Sequence, residues 1–148
     1  MLEDAKVLVA GGSGFIGSNL ILRLLSEGCV IRATTHTTPP VINNEAVEYV
    51  RADLTSMEDC TRAVDDMDYV FMCAANTSGA AVMIETPLAH VTPNVLMNTQ
   101  MLEASYLAKV KKFVFISSSA AYPPTDDRPV REDEMSDGDP YEAYYAVG

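Results

Sequence analysis

At 148 residues the chain has the length of about one domain, and 48% hydrophobic residues with a mean hydropathy of +0.06 exclude wholesale disorder. No apolar run reaches the roughly 18–20 residues that a membrane span needs. A net charge of −11, with no basic cluster, excludes a nucleic-acid backbone as partner.

Three cysteines, Cys29, Cys60 and Cys73, form an odd, widely spaced set without a C-x-x-C pair. That argues against a disulfide framework or a zinc cage and suits a reducing compartment. The two histidines, His36 and His90, stand too far apart to complete a metal site with them. The start, Met1 to Lys6, lacks the basic and apolar regions of a secretory signal. The expectation is a soluble, cytoplasmic protein without a metal.

Up to residue 116, short β-branched runs alternate with helical periods. Lys6–Ala10 reads as a first buried strand, followed at once by Gly11-Gly12-Ser13-Gly14. An amphipathic helix is predicted from Phe15 to Glu27, ended by Gly28. Val30–Thr35 is a second strand, stopped by Pro39-Pro40. Val47–Ala52 is a third, followed by a short helix over Met57–Val64 and a fourth strand over Tyr69–Ala74. A long helix over Val95–Leu107 leads to a fifth strand, Lys112–Ile116. Continuous apolar strands spaced by helices predict a Rossmann-type, doubly wound α/β sheet of five parallel strands. From Ala121 the composition changes: residues 121–148 carry eight acids against two bases, and half of the prolines. That stretch reads as an acidic loop.

The glycines fit two overlapping spacings, Gly12-x-Gly14-x-x-Gly17 and Gly11-x-x-Gly14-x-x-Gly17. Between a first strand and a first helix, this pattern points to a dinucleotide. Such a tight turn needs positive φ, and side chains would keep a pyrophosphate from the backbone amides at the helix start. An acid commonly ends the second strand to bind the ribose hydroxyls. Here Thr35 and His36 occupy that place, and no Asp or Glu lies between Glu27 and Glu45. A carboxylate there would repel a 2′-phosphate, so its absence permits NADP. The nearby bases are His36 and Arg32, the latter equally suited to solvent. The expected cofactor is NADP or NAD, with NADP favoured.

Further along, Asp53-Leu54 follows the third strand and Cys73-Ala74-Ala75 the fourth. Asn94-Val95 opens the long helix, and Phe113-Val114-Phe115-Ile116-Ser117-Ser118-Ser119 closes the series. With Ala10-Gly11-Gly12-Ser13-Gly14-Phe15-Ile16-Gly17, this ordered set resembles the extended short-chain dehydrogenase/reductase family, the NAD(P)-dependent nucleotide-sugar epimerases and reductases. The resemblance covers essentially the whole chain. It implies that Gly11, Gly12, Ser13, Gly14, Phe15, Ile16 and Gly17 cradle the dinucleotide and that Asp53 and Leu54 contact the adenine. It further implies that Cys73, Ala74 and Ala75 pass beneath the cofactor and that Asn94 supports the active-site backbone. Asp53 could equally begin a turn or cap the next helix, and Asn94 could cap a helix after Pro93.

In that family a serine stands four residues before a tyrosine, which here selects Ser118 with Tyr122, next to Ser117. The general acid is the tyrosine of a Tyr-x-x-x-Lys motif. Tyr144 would place Gly148 at the lysine position, so the resemblance selects Tyr145, whose lysine would be residue 149. A tyrosine titrates near pH 10 unaided, so without that lysine it is a poor acid or base at neutral pH. The 148 residues alone are therefore expected to bind cofactor without turnover, as the cofactor-binding half of such an enzyme with its substrate lobe absent. Tyr141, Tyr144 and Tyr145 could also form one face of an amphipathic helix.

Ser119-Ala120 stands where the dehydratases of the family carry an Asp-Glu pair, which disfavours dehydration. Residues 118–123, 128–132 and 74–80 are most similar to the GDP-fucose synthase subgroup, but Ala120 replaces that subgroup's cysteine. The resemblance implies a nucleotide-sugar substrate and a homodimer through the helix at 95–107. The apolar face of that helix, including Met97 and Met101, fits core packing as well. Two alternatives are a dinucleotide-binding redox sensor and a reductase of a steroid or flavonoid ketone.

Overall fold

The computed structural model describes residues 2–77, 80–86, 88–125 and 128–139. The described residues fall into two compact units. One takes the chain as far as Ala75 together with Val95–Ile116; the other takes Asn76–Asn94 and the described residues from Ser117 onward.

The first unit holds a parallel sheet of β1 (Lys6–Ala10), β2 (Val30–Thr35), β3 (Val47–Arg51), β4 (Tyr69–Met72) and β5 (Lys112–Phe115), in the order β3-β2-β1-β4-β5. The doubly wound α/β expectation is met. Helix α1 (Phe15–Ser26) joins β1 to β2, and α2 (Met57–Val64) joins β3 to β4. Between β4 and β5 lie α3 (Ala80–Glu85) and α4 (Leu88–Leu107).

The central strand β1 is buried on both faces because alternate side chains enter two separate cores. Val7 and Val9 pack with Ile21 and Leu24 of α1 and with Ile31, Ala33 and Val47. Leu8 and Ala10 face the other way, against Cys60, Ala63 and Val64 of α2 and Met101 and Ala104 of α4. Each fully buried aliphatic side chain contributes about 1.5–3 kcal/mol. Met101 thus belongs to the core.

The strands are also stitched at their amino ends. Asp68 Oδ2 accepts from the Lys6 amide at 3.0 Å, and its Oδ1 lies 2.8 Å from Lys111 Nζ. The Asp68 amide donates to the Lys6 carbonyl at 2.8 Å, and the Lys111 amide donates to the Asp68 carbonyl at 2.7 Å. One carboxylate therefore ties the starts of β1, β4 and β5 together.

Two expectations change. The strand expected over Tyr69–Ala74 ends at Met72, so Cys73 and Ala74 belong to the loop. The long helix begins at Leu88 rather than Val95, with Pro93 inside it, so Asn94 is an interior residue and no cap. Proline has no amide to give the carbonyl four residues back, which here is Ala89. That carbonyl accepts instead from Asn76 Nδ2 at 3.3 Å. In the second unit, short 3-10 turns run over Ser119–Ala121 and Glu132–Ser136. Arg128 pairs with Glu134 at 2.8 Å and holds its carboxyl below the usual range.

Candidate functional site

Because the strands are parallel, the segments after β1, β2, β3 and β4 share one edge of the sheet. The strand order reverses between β1 and β4, the place where such sheets form a ligand crevice.

The glycine turn sits at that reversal. Gly11 has φ +85°, and a Cβ on it would lie 2.7 Å from the backbone of Ala74. A Cβ on Gly12 would lie 2.6 Å from that of Ala33, and one on Gly17 only 2.2 Å from the Gly11 carbonyl oxygen. Packing within the protein therefore demands all three. Gly14 differs, since its Cβ would meet a single heavy atom, the Gly11 oxygen, at an ordinary 3.4 Å. Gly14 is exposed, and its bare Cα leaves open space at the start of α1.

The amides divide in the same way. Gly11 N donates to Thr34 Oγ1 at 2.9 Å, Gly12 N to the Thr34 carbonyl at 2.8 Å and Gly14 N to the Gly11 carbonyl at 3.1 Å. Ser18 N, bonded to the Gly14 carbonyl at 2.9 Å, is the first amide with a partner one turn back. No side chain caps the helix at Gly14. The amides of Phe15, Ile16 and Gly17 thus head the helix, where the backbone dipole favours an anion. Phe15 and Ile16 expose their side chains beside them. These residues fit a dinucleotide pyrophosphate.

Around this edge, Ser13 Oγ donates to the Thr38 carbonyl at 2.9 Å, holding the loop after β2 near the turn. Thr35 is partly buried and His36 is exposed. Asp53 Oδ1 accepts from Thr55 N at 2.9 Å and Thr55 Oγ1 at 2.7 Å. Those bonds, and more weakly the charge of His36, hold its carboxyl below the usual range. Asp53 does not cap α2; Ser56 does, accepting from Asp59 N. Leu54 buries its side chain and can offer a ligand only its backbone. Arg32 is committed elsewhere, to Glu48 at 2.7 Å and to the carbonyls of Ala63 and Asp65 at 3.2 and 2.8 Å. It neither points into solvent nor faces the edge. Cys73 is half-buried, and burial raises its thiol above the ordinary range. Ala75 is exposed beyond it.

In the second unit, Asn94 clasps one residue of the loop after β4. Its Oδ1 accepts from Asn76 N at 2.8 Å and its Nδ2 donates to the Asn76 carbonyl at 2.9 Å. His90 Nδ1 lies 3.2 Å from the same carbonyl and the ring is buried. Asn94 thus holds the backbone of Asn76 through both its amide and its carbonyl. His90 had no role in the sequence; its four-residue offset from Asn94 becomes a signal only once the helix is known to begin at Leu88. Thr34 was missed too, although a threonine buried beside a glycine turn is a cue to a hydroxyl with a backbone partner.

Ser117 and Ser118 follow β5 in the chain, and both are exposed. Ser118 Oγ accepts from Ala120 N at 3.1 Å, which leaves its O–H as the group it can offer a substrate oxygen. Tyr145, with Tyr141 and Tyr144, lies outside the described residues. Among the described residues, no group of three or more His, Cys, Asp or Glu side chains gathers as a metal site, and no helix is long and apolar enough to cross a membrane.

Several known proteins are similar to this chain. A 3 beta-hydroxysteroid dehydrogenase/Delta 5-->4-isomerase of Mycobacterium tuberculosis is 33% identical over 121 residues, covering 80% of this chain and 33% of that protein. A GDP-L-fucose synthase of Sinorhizobium fredii is 26% identical over 151 residues, covering 99% of this chain and 44% of that protein. The structure of Thermus thermophilus UDP-glucose 4-epimerase in complex with NAD superposes with a TM-score of 0.79 at 28% identity, over 95% of this chain and 46% of that one. The chain therefore spans between a third and a half of the relatives it matches. Residues 7–147 match the model of the NAD dependent epimerase/dehydratase family, and the chain belongs to that family.

Proposed function

We propose that the chain is the cofactor-binding half of an NAD(P)-dependent nucleotide-sugar epimerase or 4-keto reductase. Residues 1–148 form its Rossmann domain, with 121–148 as an acidic active-site loop and the start of the tyrosine helix. The observation that carries this reading is the open space at Gly14 beside the uncapped start of α1, in a chain of an NAD-dependent family. The amides of Phe15, Ile16 and Gly17 would hold the pyrophosphate, with Gly11, Gly12, Ser13 and the Cys73-Ala74-Ala75 loop shaping its bed. Asp53 and the Leu54 backbone would take the adenine, and Thr35 and His36 the adenosine ribose. When bound, the dinucleotide supplies or accepts hydride.

The remaining steps belong to side chains. Ser118 donates its hydroxyl proton as a hydrogen bond to the sugar oxygen. Tyr145 gives a proton to that oxygen or takes one from it. Asn94 keeps the loop after β4 in place, with Ser117 leading into the serine. A 2′-phosphate would find His36 but not Arg32, so any preference for NADP over NAD rests on His36. The exposed apolar side chains of Val95, Leu96, Leu102, Tyr106 and Leu107 support a homodimer through α4. The odd, widely spaced set of three cysteines supports a reducing, cytoplasmic setting.

A second reading, reduction of a flat apolar ketone, draws on the steroid dehydrogenase relative. Turnover of a nucleotide 4-keto-sugar and of a steroid ketone, each with NADH and NADPH, separates the two. On the sugar reading, Tyr145→Phe and Ser118→Ala in the full-length enzyme each cost about 10²-fold or more in turnover of the nucleotide sugar. Retained turnover in Tyr145→Phe, or activity on the steroid alone, would sink it. The 148 residues by themselves bind cofactor without turning over substrate.

A further inference from the structure

Thr34 grips two successive amides of the glycine turn. Its Oγ1 accepts from Gly11 N at 2.9 Å, and its own carbonyl accepts from Gly12 N at 2.8 Å. The residue is buried near the end of β2, where its backbone is fixed by pairing with Val50 of β3. The turn is otherwise set by contacts with little latitude: Gly11 lies against Ala74, and Gly17 lies against the Gly11 carbonyl. Gly11 is the hinge of this arrangement, since its positive φ aims its amide at β2 and its carbonyl at α1. Gly11 and Gly12 spend their amides on Thr34, so only the amides further along remain for an anion.

From this geometry we infer that Thr34 is a positioning residue for the dinucleotide, one that fixes the glycine turn before the ligand arrives. The inference rests on the dinucleotide reading of the site. The hydroxyl touches no ligand; it holds Gly11 so that the start of α1 presents its amides already oriented. Preorganisation of this kind lowers the ordering cost of binding. Valine removes the acceptor at nearly constant shape, and serine keeps it while removing a methyl group.

The test is titration of NAD and of NADP into the full chain as wild type, Thr34→Val and Thr34→Ser, with thermal unfolding of each protein measured without ligand. Thr34→Val is expected to weaken binding about tenfold while still unfolding cooperatively, and Thr34→Ser to stay within about twofold of wild type. A folded Thr34→Val that binds as tightly as wild type overturns the inference and leaves the dinucleotide reading intact. Wild type that binds neither nucleotide overturns the reading, and the inference with it. Should Thr34→Val fail to fold, amide hydrogen exchange on wild type decides. Gly11 and Gly12 should be protected before ligand is added, and Phe15 and Ile16 should gain protection only with it. Gly11 and Gly12 gaining protection only on binding would overturn the inference.

Discussion

Gly14 and Gly17 stand three residues apart in one motif, yet the structure gives them opposite jobs. A methyl group on Gly17 would fall 2.2 Å from the Gly11 carbonyl oxygen, and neither backbone can yield. Gly17→Ala should therefore destabilise the fold by about 2 kcal/mol or more, read from denaturant unfolding. A methyl group on Gly14 meets that oxygen at 3.4 Å, an ordinary contact. Gly14→Ala should change stability by less than about 1 kcal/mol while weakening dinucleotide binding. Equal destabilisation by the two substitutions would contradict this division. The spacing of the glycines was legible in the sequence, but the division of labour was not, because it depends on which backbone lies opposite each Cα. Arg32 teaches the same lesson: a base near the ribose position in sequence lies on a strand face, paired with Glu48.

At the scale of elements, Asp68 is the clearest case of one side chain holding several strands. The Lys111 ammonium and the Lys6 amide hold its carboxyl below the usual carboxylate range. A carboxyl depressed in the folded state stabilises above its unfolded pKa and loses that contribution as pH falls through its folded value. The native protein should therefore lose stability below about pH 4, partly through Asp68. Asp68→Asn should be less stable at neutral pH and show a shallower fall in acid, measured by denaturant midpoints across pH. An unchanged slope would remove Asp68 from the acid response. Most elements here were legible, since apolar runs and the glycine turn set β1, α1, β2, α2 and β5 to within a residue or two. The start of α4 was hidden because a proline ordinarily marks a boundary. The carbonyl it leaves without an amide accepts from Asn76, a residue seventeen positions earlier in the chain whose proximity only the fold reveals.

For the whole molecule, the sequence supported family and fold together because motifs after β1, β3, β4 and β5 come in a fixed order, each at a strand end. The site is less legible. Ser118 is exposed and hydrogen-bonded locally, and Tyr145 is assigned by motif spacing alone. The chain also spans under half of the relatives it matches. The central claim is narrower: these 148 residues build a dinucleotide site around Gly14. Calorimetric titration of the purified chain with NAD and NADP tests it most directly. The account predicts saturable binding of one nucleotide per chain that weakens markedly in Gly14→Ala with its fold intact. Absence of binding to either nucleotide, or binding indifferent to Gly14→Ala, would contradict it.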